Sequence, residues 1–112
     1  MPCFNLSTNL NLDGVDTTDF FSEATKAVAS IIGKPKNFVM VVLKGSAGIS
    51  FGGNKEPAVF SEIVSMGGIT PDVKRELIAA LGTICQNKLS IPRTRFFLKV
   101  YDTTMATKHS KL

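Results

Sequence analysis

Few residues in this chain have the types and spacing that chemistry requires. His109 is the only histidine and stands close to the C-terminus, so neither a Ser/His/Asp nor a Cys/His relay is available. Cys3 and Cys85 lie far apart and form no Cys-x-x-Cys, and one histidine offers no zinc-site spacing. The nine carboxylates include no pair placed for acid–base work; Glu23, Glu62 and Glu76 read as solvated faces. The glycines between 45 and 54 follow neither phosphate-loop pattern, and the segment reads as turns or a short edge strand. What remains is Pro2, directly after the initiator methionine. A small second residue favours removal of Met1, which leaves Pro2 as a secondary amine. An ordinary α-amino group titrates near ~8. Desolvation and a neighbouring cation lower that value, giving a neutral amine able to act as a base. Taken alone, a proline at this position is usually just a processing or end feature.

Composition narrows the setting. The chain has 112 residues, a net charge of +4, 44% apolar and 20% charged residues, as expected of one soluble globular domain. This excludes a disordered chain, a disulfide scaffold and a large multi-domain enzyme. Trp is absent and no basic run interleaves with aromatics, which argues against nucleic-acid binding. No apolar stretch approaches the ~20 residues of a membrane span, and the N-terminus lacks the pattern of a signal peptide. The two cysteines fit a reducing compartment. The chain ends in Ser110, Lys111 and Leu112, the peroxisomal address read by an import receptor, after a polar stretch at 105–109. Import into the peroxisome, with a possible cytosolic pool, is the expected localisation. A domain of this size buries only roughly two-thirds of its unfolded surface, so an active site often needs a second subunit.

The elements that must position these residues come in a repeated order. Residues 2–8 alternate as a strand. Asp16 to Asp19 offer N-caps for a helix carrying Phe20, Ala24, Val28, Ile31 and Ile32, ended by Gly33 and Pro35. The apolar run at 38–43 reads as a strand covered on both faces. Residues 58–66 form the next strand, Thr70 and Pro71 start a second helix through Leu77, Leu81 and Cys85, and 96–101 close the domain. The fold class is therefore α/β, two β-α-β repeats making a four-stranded mixed sheet. Two such crossovers place both helices on one face. The runs Val39-Met40-Val41-Val42-Leu43 and Phe96-Phe97-Leu98 are apolar on both sides of the strand, so the second face needs a cover, and another copy of the chain is the expected one.

Read in order, Met1-Pro2-Cys3-Phe4, Gly33-Lys34-Pro35, Phe51-Gly52-Gly53, Glu56-Pro57, Ser65-Met66-Gly67 and Arg95-Phe96-Phe97 resemble the macrophage migration inhibitory factor (MIF) family, which includes D-dopachrome tautomerase. The likeness spans residues 2 to about 102, with 103–112 as a separate tail. The plant-type branch looks closest, on Asn11-Leu12-Asp13-Gly14-Val15-Asp16 and the Ser-Lys-Leu end. The resemblance implies a homotrimer with sites between subunits, and cofactor-free, metal-free keto–enol tautomerisation of aromatic α-keto acids such as phenylpyruvate. On it, Pro2 matches the catalytic base, Lys34 the lysine that holds the substrate carboxylate, and Ser65 and Met66 the strand lining the pocket.

The departures are specific. Phe97 stands where animal members have a pocket tyrosine, Lys99 where they have asparagine, and Phe38 keeps a pocket ring without its hydroxyl. Losing these donors weakens discrimination for a substrate ring hydroxyl. Lys99 either attracts a carboxylate or fills the pocket. The Cys-x-x-Cys of the animal cytokine is absent, with Ala58 and Ser61 in its place. The alternative to the enzyme is a MIF-like cytokine or interaction protein with weak or no turnover. Each pocket residue also has a plainer reading. Lys34 suits a helix C-terminus, and Met66 and Phe97 suit packing.

Overall fold

The structure, a computed structural model, describes residues 1–104; the Ser110, Lys111 and Leu112 signal lies outside them. Proline has no N–H to give a ladder, and strand β1 (Cys3–Thr8) begins directly after Pro2. Helix α1 (Thr17–Ile32) starts where the Asp16 carboxylate accepts the Asp19 N–H at 3.1 Å. It stops at Gly33, whose φ of 81° is left-handed and whose N–H donates to the Ala29 carbonyl, a conformation that glycine adopts without strain. Helix α2 (Pro71–Leu89) repeats the logic, with the Thr70 hydroxyl accepting the Val73 N–H and proline in the first turn.

Between these helices run β2 (Met40–Lys44), β3 (Val59–Ser65) and, after α2, β4 (Phe96–Asp102). The sheet order is β2-β1-β3-β4, with β1 parallel to β2, β3 parallel to β4, and β1 antiparallel to β3. The two β-α-β repeats and the four-stranded mixed sheet expected from the sequence are therefore present. Two expectations shift by a few residues. Phe38 lies not in β2 but in the single 3-10 turn at Lys36–Phe38 that leads into it, because Pro35 disfavours an immediate strand ladder and the Phe38 N–H closes back onto the Pro35 carbonyl at 3.0 Å. The segment at 45–57 makes no strand pairing with the sheet; Phe51 and Asn54 form an isolated bridge.

Alternation divides each strand into two faces. Phe4, Leu6 and Ile63 point to the helices and join Phe20, Val28, Leu77, Leu81 and Cys85 in one core. Both helices thus share one face of the sheet. On the other face Met40, Phe60, Phe97 and Tyr101 are exposed. The run at 38–43 reads as covered on both sides, but β2 is an edge strand of this sheet and within one chain only its helix-facing side is closed. The apolar outer side is left open among the described residues, the kind of surface that interaction partners cover.

Leu81 is fully buried at the centre of this core, so Leu81→Ala is expected to cost about 2–5 kcal/mol through lost transfer and a residual cavity. Asp16→Ala, which removes only a cap, is expected to cost about 1 kcal/mol. Equilibrium urea unfolding separates the two, and equal losses would contradict the placement of the core.

Candidate active site

The residues singled out for chemistry fall at two ends of the sheet. One end is built where β1 starts. Pro2 is fully buried while Met1 is 70% exposed, so the peptide bond between them marks the edge of the folded core. The Pro2 carbonyl accepts the Met40 N–H at 2.9 Å, bringing the entry of β2, and with it Phe38, alongside. On the opposite side Cys3 faces Val64, which places Pro2 beside Ser65 as β3 ends.

The turn after β3 is held from within and from β4. The buried Ser65 hydroxyl donates to the Gly67 carbonyl at 2.9 Å, and the Gly67 N–H donates to the Asp102 carboxylate at 3.2 Å. Thr103 donates its hydroxyl to the Ser65 carbonyl. Gly67 and Gly68 both adopt φ near 80°. A Cβ on Gly68 would press on Ile32 at 3.0 Å, and the Lys34 side chain passes 4.0 Å from that position. Lys34, just past the end of α1, therefore extends along the turn that follows Ser65 and Met66. This end gathers a buried proline, a lysine, the Ser65–Met66 backbone and the exposed apolar side chains of Phe38, Met40 and Met66.

Phe97 and Lys99 are not part of that cluster within one chain. Phe97 pairs with Phe60, four residues before Val64. At ~3.3 Å per residue that is about 13 Å along the sheet, in addition to the strand spacings across it. Both Phe97 and Lys99 project from the open face. The Lys99 ammonium lies 4.7 Å from the centre of the Tyr101 ring, and its hydrogen bond to Tyr101 together with the nearby tyrosine charge pushes its pKa up. Lys99 is therefore a charged group directed toward the row formed by Tyr101, Val64, Cys3 and Met40. Tyr101, the only tyrosine, is a hydroxyl-bearing ring on the open face that the residue-by-residue reading did not single out. Its period-two spacing from Phe97 and Lys99 was the available signal.

The sequence profile described as macrophage migration inhibitory factor (MIF) matches residues 1–110. The chain belongs to the macrophage migration inhibitory factor family. It is 37% identical over 98 residues to a MIF homolog of Trichinella spiralis, covering 88% of this chain and 85% of that protein. A homolog from Trichuris trichiura is 33% identical over 102 residues, covering 91% and 89%. The solved MIF structure from Trichinella spiralis superposes with a TM-score of 0.83 at 34% identity, over 89% of this chain and 88% of that one. The MIF homologue from Prochlorococcus marinus, at 24% identity, has a TM-score of 0.84 over 89% and 87% of the two chains and shares the fold. The mixed sheet with two helices is thus the MIF fold.

Within this member of the family the two thiols differ in setting. Cys3 is half-buried on the open face, whereas Cys85 is buried among the helices, and burial pushes its pKa up to about 12. A disulfide-exchange reagent at pH 8 is expected to leave Cys85 unlabelled in the native protein and to label it after unfolding. The same shift sets a sign for stability. The unfolded thiol ionises from its ordinary value of 9.0 while the folded one stays protonated to about 12, so stability falls as pH rises through that window. Rapid native labelling of Cys85 would contradict its burial.

Proposed function

We propose that this MIF-family chain is a cofactor-independent keto–enol tautomerase of small aromatic α-keto acids such as phenylpyruvate, working as a homotrimer with Pro2 as general base. The observation that carries the reading is the contrast between exposed Met1 and fully buried Pro2. Aminopeptidase access requires the first, and a desolvated amine requires the second. Once Met1 is removed, the Pro2 nitrogen is a secondary amine inside the folded boundary, with Lys34 extending over the adjacent turn. Burial and a nearby cation both favour the neutral form of such an amine.

In the proposed reaction Lys34 pairs with the substrate carboxylate, and the backbone at Ser65 and Met66 lines the substrate, with the Met66 N–H facing a substrate oxygen. Pro2 takes a proton from the carbon beside the carbonyl. The electron pair left behind moves toward the oxygen, which is protonated in turn, so the enol forms with no net loss of protons. Phe38, Met40 and Met66 supply apolar surface for a ring. Phe97 enters this pocket from a second copy, since one chain holds it at the far end of the sheet, and Lys99, two residues along β4, comes with it. A second reading, an interaction protein with the same assembly and weak turnover, is favoured by the rings of Phe38 and Phe97, which carry no hydroxyl to position a substrate.

Enolisation of phenylpyruvate by the processed protein tests the enzyme. Pro2→Gly is expected to lower kcat at least about 100-fold, the lower end of what a positioned base contributes. Protein retaining Met1 is expected to be equally inactive, because an amide nitrogen is no base. For the processed enzyme the rate should fall as acid protonates the Pro2 amine. Equal rates for wild type and Pro2→Gly would remove the proposed role.

The Ser110-Lys111-Leu112 end supports import into the peroxisome through its receptor. A fluorescent protein fused ahead of the chain is expected to appear in punctate organelles and to become diffuse on deletion of Leu112. Unchanged punctate fluorescence would reject the signal.

A further inference from the structure

Phe97 is held more firmly than a half-exposed side chain needs to be. Its ring is 48% exposed, yet its backbone carbonyl accepts a hydrogen bond from the buried Ser61 hydroxyl at 2.8 Å. The ring also stacks on Phe60 at 5.5 Å between centroids, with the planes 12° apart. Phe60 is itself 45% exposed. Neither ring gains full burial from the pair, so the stack is not core packing. Its effect is to remove the rotamer freedom that a lone exposed phenylalanine keeps. A hollow of 240 Å³ opens beside the two rings, lined also by Ile49, Phe51 and Val59. Its rim is fixed from behind, because the Arg95 guanidinium donates to the Pro57, Glu56 and Phe51 carbonyls and lies over the Phe51 ring at 5.1 Å.

We propose that Phe60 is a positioning residue that presents Phe97 as a fixed wall to the Pro2 pocket of the neighbouring copy, and so sets the affinity for the aromatic part of the substrate. This rests on the reading of Phe97 as a pocket residue supplied in trans. A wall that is already ordered costs no side-chain entropy when the substrate ring binds against it. Phe60 touches no reacting atom, so it acts on binding rather than on proton transfer. Ser61 fixes the backbone of Phe97 and leaves the ring torsions free; Phe60 fixes the ring.

The test compares Phe60→Leu and Phe60→Tyr with wild type for phenylpyruvate, after sedimentation of all three. Phe60→Leu keeps apolar bulk and removes the stacking plane; Phe60→Tyr keeps the plane. The expected result is an unchanged assembly, a KM raised about threefold to tenfold for Phe60→Leu with kcat within twofold, and wild-type KM for Phe60→Tyr. The dissociation constant of 3-phenylpropanoate, which has no carbonyl to enolise, measured by calorimetry, should move in parallel with KM. An unchanged KM and dissociation constant in Phe60→Leu would overturn the proposal, as would a change confined to kcat. Loss of assembly in Phe60→Leu with normal constants in Phe60→Tyr is resolved by Phe60→Trp, which must also retain wild-type affinity. Weaker binding by assembled Phe60→Trp would overturn the proposal. Should wild type bind 3-phenylpropanoate and not turn over phenylpyruvate, the enzyme reading fails while the Phe60 variants still decide this one. Should it bind neither, both fail together.

Discussion

The central antiparallel pairing of β1 with β3 sets the conditions for everything else in this molecule. Each of these strands carries a parallel partner reached through a helix, and each crossover must lay its helix against the sheet. With the two starting strands side by side and opposed, both helices come down on the same face. One core results, with Phe4, Leu6 and Ile63 of the central strands meeting both α1 and α2. The price is a second face left open among the described residues. The same pairing fixes the chemistry: Cys3 faces Val64, so the chain's second residue lies where β3 ends and the Ser65–Met66 turn begins.

That turn shows how a few polar contacts hold a site on an otherwise apolar scaffold. Ser65 and Thr103 bond across the end of β3, and the Asp102 carboxylate accepts N–H groups from Gly67 and Thr104. Asp102 therefore fastens the end of β4 to the turn that Lys34 passes over. The far end uses the same device with different residues. Asn9 donates to the Lys55 and Glu56 carbonyls and accepts from the Ala58 N–H, and Arg95 shares the Glu56 carbonyl and binds those of Phe51 and Pro57 as well. A loop without strand pairing is thereby held in one conformation.

The fold was legible because its signals are local. Asp16, Gly33, Thr70 and Pro71 state where helices begin and end through their own hydrogen bonds and torsions, and the strand faces follow from period-two alternation. Of the candidate site, the sequence alone could single out only a residue of unusual type and place, Pro2. Lys34 could be named from the family pattern, but spacing could not show that it extends toward Gly68, since that depends on how α1 and β3 meet. Phe38 read as strand because an apolar run carries no mark of a 3-10 turn beyond the preceding Pro35. The Phe60–Phe97 stack and the Lys99–Tyr101 contact were out of reach, because each depends on strand register or on a side-chain torsion.

The two ends of the sheet also constrain how copies meet. One end presents Phe38, Met40 and Met66 around Pro2; the other presents Phe51, Phe60 and Phe97. Two kinds of contact join unlike ends. A two-fold dimer does so when the open faces meet antiparallel, residue i of one copy on residue j of the other and the reverse. A head-to-tail contact does so by closing into a ring or propagating as a fibre. The proposed trimer is a closed ring of the head-to-tail kind, in which every Pro2 pocket receives a phenylalanine wall. A chain of 112 residues then completes its site with the surface that its own topology left uncovered.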